Sequence, residues 1–421
     1  MSQTDTMLII EDSKPIASLI KHIAEQAGYQ TDLAMSYAQA EALLASGKSY
    51  SVASIDYNLP DAPEGEAIDL VLDTKTPGIV LTGKMDEATR DKILRKPVVD
   101  YIPKETAQAY AYLGKLLTRL KLNRYIKVLV VDDSKAARLY LSHLLSRHQF
   151  QVSVAENGQA GLDYLVENPD VKLVITDNEM PVMGGIKFVS EARKLYTKDQ
   201  ISIIGLSGND AGSLSARFIK SGANDFLKKP FCHEEFYCRV VQNIEHLEYV
   251  NRIQMLANTD YLTKLGNRRY FFDKAPEAIK RCISQQQSYG LAMIDIDHFK
   301  KINDVYGHDA GDVVIAHIAD VMRKLFPSAI VARFGGEEFC ILFEDASIES
   351  VLSELDTLRR EIEASEITFN QENIRYTISI GYSEQSENID LMLSIADNAL
   401  YQSKTNGRNQ VTAQKPELET N

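Results

Sequence analysis

Residues 7–15 read MLIIEDSKP and residues 128–136 read VLVVDDSKA, each an apolar run ending in two acids. The two stretches lie 121 residues apart, and the spacings downstream of them are repeated as well. Asp12 is followed 44 residues later by Asp56, at the end of SVASID, and Asp133 is followed 44 residues later by Asp177, at the end of KLVITD. Thr82 closes GIVLT and Ser207 closes IIGLS; 22 residues beyond each stands a lysine, Lys104 in DYIPK and Lys229 in DFLKK. Between these landmarks short apolar runs alternate with helical patterns such as AEALLASG and RLYLSHLLSRH. That alternation is the signature of βα units in a parallel sheet, so the repeat predicts two doubly wound α/β domains. In such sheets the ligand crevice lies outside the carboxyl ends of the strands, and every residue just named sits at a strand's carboxyl end or one residue past it.

The chemistry of each set is specific. Glu11, Asp12 and Asp56 in the first copy, and Asp132, Asp133 and Asp177 in the second, repel one another unless a cation lies between them. Mg²⁺, a hard ion that prefers oxygen, is the natural occupant. The lysine supplies a fixed positive charge, and the Thr or Ser hydroxyl can turn toward a new anionic group on the central aspartate. Such a pocket is suited to being phosphorylated. On these residues the chain resembles the receiver domain of two-component response regulators over residues 5–121 and 126–245, which implies a five-stranded, flavodoxin-like fold for each copy. The resemblance makes Asp56 and Asp177 the phosphoacceptors and the acid pairs the Mg²⁺ ligands. It makes Thr82, Lys104, Ser207 and Lys229 the sensors of the phosphoryl group, with Tyr101 and Phe226 as coupled aromatics. Two departures stand out. Glu105 follows Lys104 where Pro230 follows Lys229, and the acceptor-to-hydroxyl stretch is 26 residues in the first copy against 30 in the second, which predicts a shortened third helix.

At 421 residues the chain is long enough for about three domains of ~150 residues each. A net charge of -13 disfavours non-specific binding to DNA or anionic membranes, and no helix-turn-helix or basic stripe follows the receivers, so direct DNA binding is not expected. MSQTDTMLII has no basic flank and a short apolar run, and no stretch approaches the ~20 apolar residues that span a bilayer. A cytoplasmic protein without membrane insertion is the expectation. Cys232, Cys238, Cys282 and Cys340 show no metal-ligand spacing and are expected to be reduced, mostly packing residues.

A helical stretch over residues 234–257 overlaps the end of the second receiver, with Val240, Val241, Ile244, Leu247, Val250 and Ile253 forming an apolar stripe and Asn251 near it. It reads as a connecting helix whose stripe could pair with a second copy. The third domain, 258–412, alternates the strands LAMIDID, AIVARF, FCILF and IRYTISIGYSE with helices in an α+β pattern, and residues 413–421 read as a flexible tail. LAMIDID delivers Asp295 and Asp297 to a strand end. AIVARFGGEEFCILF reads as a hairpin whose tip, Gly335-Gly336, precedes Glu337 and Glu338. A triphosphate fits a tip without Cβ atoms. Asn303, His308 and Asp312 can read a purine edge, and Lys404 and Arg408 in SKTNGRN can neutralise phosphate.

With DYLTKLGNRR, DIDHFKKINDVYGHDAGD, SIGY and ADNALYQSKTNGRN in this order, GGEEF resembles the GGDEF family of diguanylate cyclases over residues 258–412, with Glu in place of the family's Asp. The resemblance implies a nucleotidyl cyclase-like fold and the condensation of two GTP into cyclic di-GMP and pyrophosphate by a homodimer. It implies Mg²⁺, with Mn²⁺ able to substitute, on Asp295, the Ile296 carbonyl, Glu337 and Glu338. Glu337 would assist deprotonation of the attacking hydroxyl, Asn303 and Asp312 would select guanine with help from His308, and Lys404 and Arg408 would hold phosphate; Asp297 is left structural. The inhibitory RxxD that many members carry before the signature is missing from LFPSAIVARF. A sensor histidine kinase or phosphotransfer protein would supply the phosphoryl group. The alternative is a non-catalytic phosphorelay or scaffold protein that holds GTP or cyclic di-GMP.

Overall fold

The computed structural model describes residues 5–83, 87–104, 106–208 and 213–415. The chain forms two compact units that divide between Glu248 and Tyr249. The first unit begins with β1 (Thr6–Ile10), α1 (Lys14–Gln26), β2 (Gln30–Ala34), α2 (Tyr37–Ala45), β3 (Val52–Asp56), α3 (Glu66–Asp73), β4 (Gly78–Thr82), α4 (Glu87–Leu94), β5 (Asp100–Pro103) and α5 (Ala107–Asn123). It continues with β6 (Lys127–Val131), α6 (Lys135–Arg147), β7 (Gln151–Ala155), α7 (Gly158–Glu167), β8 (Val171–Asp177), α8 (Gly185–Leu195), β9 (Ser202–Ser207), α9 (Ser213–Lys220), β10 (Asp225–Lys228) and α10 (His233–Asn258), the last crossing into the second unit.

Both copies are five-stranded parallel sheets with the same order, β2-β1-β3-β4-β5 and β7-β6-β8-β9-β10. Strands β1, β3 and β4 are buried along their whole length, which explains why they read as unbroken apolar runs: helices cover both faces. The strand order reverses between β1 and β3, so Glu11, one residue past β1, and Asp56, the last of β3, meet at the crevice where loops diverge. The third helix has 8 residues in the first copy and 11 in the second, as the shorter acceptor-to-hydroxyl stretch requires. Glu105 lies outside the described residues.

Within the first unit the two copies are docked through α4 and α5 of the first and α10 of the second. Arg90 forms a bidentate pair with Glu234, 2.6 Å at its shortest, and Arg119 reaches Glu248 at 2.6 Å. The apolar stripe of α10 is largely consumed locally: Phe236, Tyr237, Val240, Ile244 and Leu247 are buried, all but Leu247 in one core cluster of the second receiver. The expected seam is therefore reduced to its far end, where Ile253 and Leu256 are exposed.

The second unit adds β11 (Gly266–Asn267), α11 (Arg268–Gln285), β12 (Tyr289–Ile296), α12 (Phe299–Tyr306), α13 (His308–Leu325), β13 (Ile330–Gly335), β14 (Glu338–Glu344), α14 (Ile348–Ala364), β15 (Ile367–Phe369), β16 (Glu372–Ile374), β17 (Ile378–Glu384), α15 (Ile389–Thr405) and β18 (Val411–Gln414). Its main sheet is mixed, in the order β11-β13-β14-β12-β17-β18, with β15 and β16 forming a separate hairpin. Three expectations are corrected. The stretch 374–384 is not one strand: Ile374 belongs to the β15–β16 hairpin, and the strand is interrupted at Tyr376 and Thr377, whose hydroxyls bond to His317 and Asp297. Ala413 and Gln414 are not part of a flexible tail, because they pair with Tyr382 and Ser383 of β17, and residues 416–421 of the expected tail lie outside the described residues. Only Cys282 and Cys340 pack in the core; Cys232 and Cys238 are exposed.

Candidate active site and phosphoryl pockets

The register of the third sheet brings its acids together. β12 runs antiparallel to β14 with Asp295 directly opposite Glu338, so the two side chains share a face at the hairpin tip. Asp295 is 6% exposed, and burial raises its carboxyl pKa. Lys404, 2.8 Å away on α15, pulls it back, while the charges of Glu337 and Glu338 push it up again. One lysine faces three acids there, so the site carries net negative charge that a bound cation would offset. The hard oxygen donors of Asp295, Glu337 and Glu338, at the open end of the sheet where Ile296 completes β12, fit a Mg²⁺-type ion.

Two features hold the tip in shape. Gly336 adopts φ +50, the left-handed region that glycine enters without strain, and the register shifts between Arg333 and Gly335. Arg333 then bridges the tip to the start of the domain: it donates to the Gly336 carbonyl at 2.8 and 3.0 Å and to Asp260 at 3.1 Å. Sequence reasoning missed this clamp, although Arg333 stands just before the glycines and Asp260 opens DYLTKLGNRR.

Lys404 reaches Asp295 because α15 lies unusually close to β17. A Cβ on Gly381 would collide with the Ala396 carbonyl and the Leu400 nitrogen, so the glycine of SIGY is what admits the helix. Asp297 does not face the acids. It is 3% exposed and accepts from Thr377 Oγ1 and Ser379 Oγ at 2.7 Å and from the Asn409 nitrogen at 3.1 Å. It thereby ties down the turn that carries the exposed Arg408, whose φ is +65. On the other side, α12 and α13 meet at Gly307, with His308 and Asp312 exposed on the first turns of α13. Asn303 Oδ1 is buried against Gly311 with no protein partner, and a Cβ on that glycine would collide with it.

In the first receiver, carboxylate oxygens of Glu11, Asp12 and Asp56 lie within 4.8 Å of one another, a set that fits a divalent ion. Lys104 Nζ sits 2.7 Å from Glu11 and 2.6 Å from Asp56. Burial alone would lower the lysine's pKa, but the bonds to Asp56 and Glu11 outweigh it and raise the value. Burial also raises Glu11, which is fully enclosed. Thr82 is buried one strand over, and Tyr101 is half-buried on β5, facing the docked second receiver. In the second receiver Lys229 Nζ bonds Asp177 at 2.6 Å and Asp132 at 3.0 Å, Ser207 is buried, and Phe226 packs on Phe218. Asp133 points to solvent. Among the described residues, neither Asp132, Asp133 and Asp177 nor the three acids of the third domain gather as closely as the first trio.

The model of the response regulator receiver domain matches residues 7–111 and 128–241, more than half of the chain, and that of the diguanylate cyclase GGDEF domain matches residues 257–410. The chain is a GGDEF-bearing response regulator. A solved two-component response regulator/GGDEF protein is 39% identical, with a TM-score of 0.53, over 58% of this chain and 100% of that one. The response regulator PleD of Caulobacter vibrioides is 29% identical over 299 residues, 68% of this chain and 65% of PleD. Diguanylate cyclase A of Treponema denticola is 36% identical over 190 residues, 42% of this chain and 51% of that protein. The response regulator thus spans less than two thirds of the length of either curated relative. Among its described residues no helix is long and apolar enough to cross a membrane.

Proposed function

We propose that this response regulator is a phosphorylation-controlled diguanylate cyclase that condenses two GTP into cyclic di-GMP and two pyrophosphates. The observation that carries the reading is the pairing of Asp295 with Glu338 across β12 and β14 beside the glycine tip, with Lys404 on the Asp295 carboxylate. Asp295, the Ile296 carbonyl, Glu337 and Glu338 would hold the ion. Mg²⁺, or Mn²⁺ in its place, supplies charge neutralisation and Lewis-acid polarisation when bound. Asn303 and Asp312 select guanine, with His308 alongside, which fixes the base at the α12–α13 elbow. Lys404 and Arg408 carry positive charge toward the phosphates.

Each GTP 3′-oxygen attacks the α-phosphorus of the other nucleotide, the bond from that phosphorus to the oxygen bridging it to the β-phosphate breaks, and pyrophosphate leaves. Glu337 takes the hydroxyl proton. One domain binds one GTP, so ring closure needs two domains face to face, and the working unit is a homodimer. In the receivers, Asp56 and Asp177 accept a phosphoryl group from a sensor histidine kinase or phosphotransfer protein, with Mg²⁺ on the neighbouring acids. Thr82 and Lys104, and Ser207 and Lys229, contact the new phosphate, and Tyr101 and Phe226 follow them. The closer gathering of Glu11, Asp12 and Asp56 supports Asp56 as the acceptor already arranged for an ion. GTP and such kinases meet in the cytoplasm, the location this reading implies.

Purified protein incubated with GTP and Mg²⁺ and resolved by chromatography is expected to yield cyclic di-GMP and pyrophosphate. GTP bound but unconverted under dimerising conditions would instead favour a nucleotide-holding scaffold.

A further inference from the structure

The two receivers also meet at the amino ends of their strands, the end opposite the phosphoryl pockets, around an open cleft of about 620 Å³. Ligand sites typically span ~300–1,000 Å³. The first receiver supplies the end of α3 and the loops into β4 and β5, with Leu72, Lys75, Pro77 and Pro97. The second supplies the end of α6 and the turn into β7, with His143, Ser146, Arg147 and Gln149. No acidic side chain is on this lining.

Arg147 is half-buried, and burial lowers its pKa with only the Tyr140 hydroxyl to counter it. Elsewhere in the docking Arg90 and Arg119 each meet a carboxylate, on Glu234 and Glu248. Among the described residues Arg147 has no hydrogen bond or ion pair, although a charge withdrawn from water is normally paired. None of its nitrogens is sealed off in the way that the Arg119 Nε is, so the guanidinium is open to a ligand. The side chains of Lys75, His143, Ser146 and Gln149 are likewise without a partner among the described residues. Both α3 and α6 end here, and a helix carries about half a negative charge at its carboxyl end. Two such ends offset one of the two fixed cations and leave the other.

The internal repeat shows that the fold does not require this charge. Positions 121 apart match on α1 and α6, and the first copy has Glu25, Gln26 and Gly28 where the second has Ser146, Arg147 and Gln149. One acid is lost and one cation gained at the same helix end. Gly28 takes φ +79 and Gln149 φ +68, so the second copy holds a polar side chain in a left-handed conformation that glycine enters without strain. Lys75 does the same at the end of α3, with φ +62. An arginine fork can bond two phosphate oxygens at once. A phosphate group also offers three acceptor oxygens to the surrounding donors, against two on a carboxylate.

We propose that this cleft binds a small organic phosphate, its phosphate held by Arg147 and Lys75 and its carbon part lying on Leu72, Pro77 and Pro97. Because the walls come from both receivers, the occupant favours their docked arrangement by mass action.

Calorimetric titration of the full-length protein with phenyl phosphate, in EDTA and without GTP, tests this. Saturable binding at one site per chain is expected. Benzoate, which keeps the ring but carries a carboxylate, and inorganic phosphate, which lacks the ring, are each expected to bind at least tenfold more weakly. Arg147→Gln, a change to the side chain that the first copy has at this place, should weaken phenyl phosphate binding at least tenfold, and Lys75→Gln at least threefold. Should Arg147→Gln fail to fold, as judged by circular dichroism, Lys75→Gln at its exposed position decides alone. An absence of saturable binding, an affinity unchanged in the folded variants, or equal affinity for benzoate or inorganic phosphate overturns the proposal. None of these results depends on cyclase activity or on receiver phosphorylation, so this reading and the proposed function fail separately.

Discussion

Asp295 sits where an isolated carboxylate is poorly tolerated: buried, opposite Glu338, beside Glu337, and balanced by Lys404 alone. Removing either end of the pair should cost metal affinity and transition-state charge stabilisation together. Asp295→Ala or Glu338→Ala is therefore expected to lower cyclic di-GMP turnover about a thousandfold or more while the receivers still bind beryllofluoride; near-normal turnover in either variant would refute the metal assignment. A different carboxylate gives a pH signature. Burial, only partly countered by the Tyr112 and Tyr101 bonds, raises Asp100 to about 6. In the unfolded chain it titrates near ~4. Between these values the folded state binds more protons, so this group makes stability fall as pH rises from about 4 to about 6 and leaves the protein less stable above that window. Asp100→Asn removes the effect, and Tyr112 can turn its hydroxyl to accept from the new amide. Chemical unfolding of the full chain should find the variant more stable at pH 8, by about 1–2 kcal/mol, with the gain shrinking toward pH 5; a gain that is constant with pH would contradict the assigned titration.

At the scale of elements, the geometry of the proposed catalytic site depends on how closely α15 lies on the sheet and how firmly its following turn is held. Gly381→Ala places a methyl against the Ala396 carbonyl and Leu400 nitrogen, backbone atoms that cannot rotate away. Such overpacking typically costs about 1–3 kcal/mol. The variant should lower the unfolding midpoint, and by displacing Lys404 it should reduce turnover even at temperatures where the domain stays folded. The Arg408 turn rests on Asp297, whose three donors come from Thr377 and Ser379 at the start of β17 and from the turn itself. Asp297→Asn leaves one of those donors facing an amide N–H. We expect the loosened turn to raise KM for GTP by roughly tenfold with a smaller change in kcat, the pattern of a lost binding contact; equal loss in both would place Asp297 in the chemical step instead.

Across the whole molecule, phosphorylation as proposed would add about 1.5 to 2 negative charges at Asp56 or Asp177. That charge would reach the proposed cyclase site only by biasing an arrangement of domains. The docking of α4 and α5 on α10 through Arg90–Glu234 and Arg119–Glu248 is one such two-sided contact, and Tyr101 lies within it. Beryllofluoride should raise both the dimer fraction, by light scattering, and the cyclase rate, and Asp56→Asn with Asp177→Asn should abolish both responses. Stimulation without any change in mass would refute phosphorylation-driven assembly and leave the chemistry untouched.

Legible in the sequence was whatever repeats along the chain or arises from the period of a strand. The duplicated acid, hydroxyl and lysine spacings disclosed two βα sheets, because a parallel strand buried on both faces must be an apolar run and its functional residues must lie at its carboxyl end. LAMIDID and GGEEF likewise marked two strand ends. Tertiary structure decided everything that depends on register and docking. It placed Asp295 against Glu338 and Asp297 against Thr377 and Ser379, though the two aspartates are near neighbours in the chain. It joined Arg333 to Asp260, 73 residues away, and enclosed His148 beside Tyr237. It also spent most of the α10 stripe on the second receiver's own core, which sequence periodicity could not distinguish from a seam for a second chain. The physical reason is common to all of these. A pattern along the chain specifies which side of an element is apolar or charged, but which surface comes to cover that side is set by long-range packing, and no local spacing encodes it.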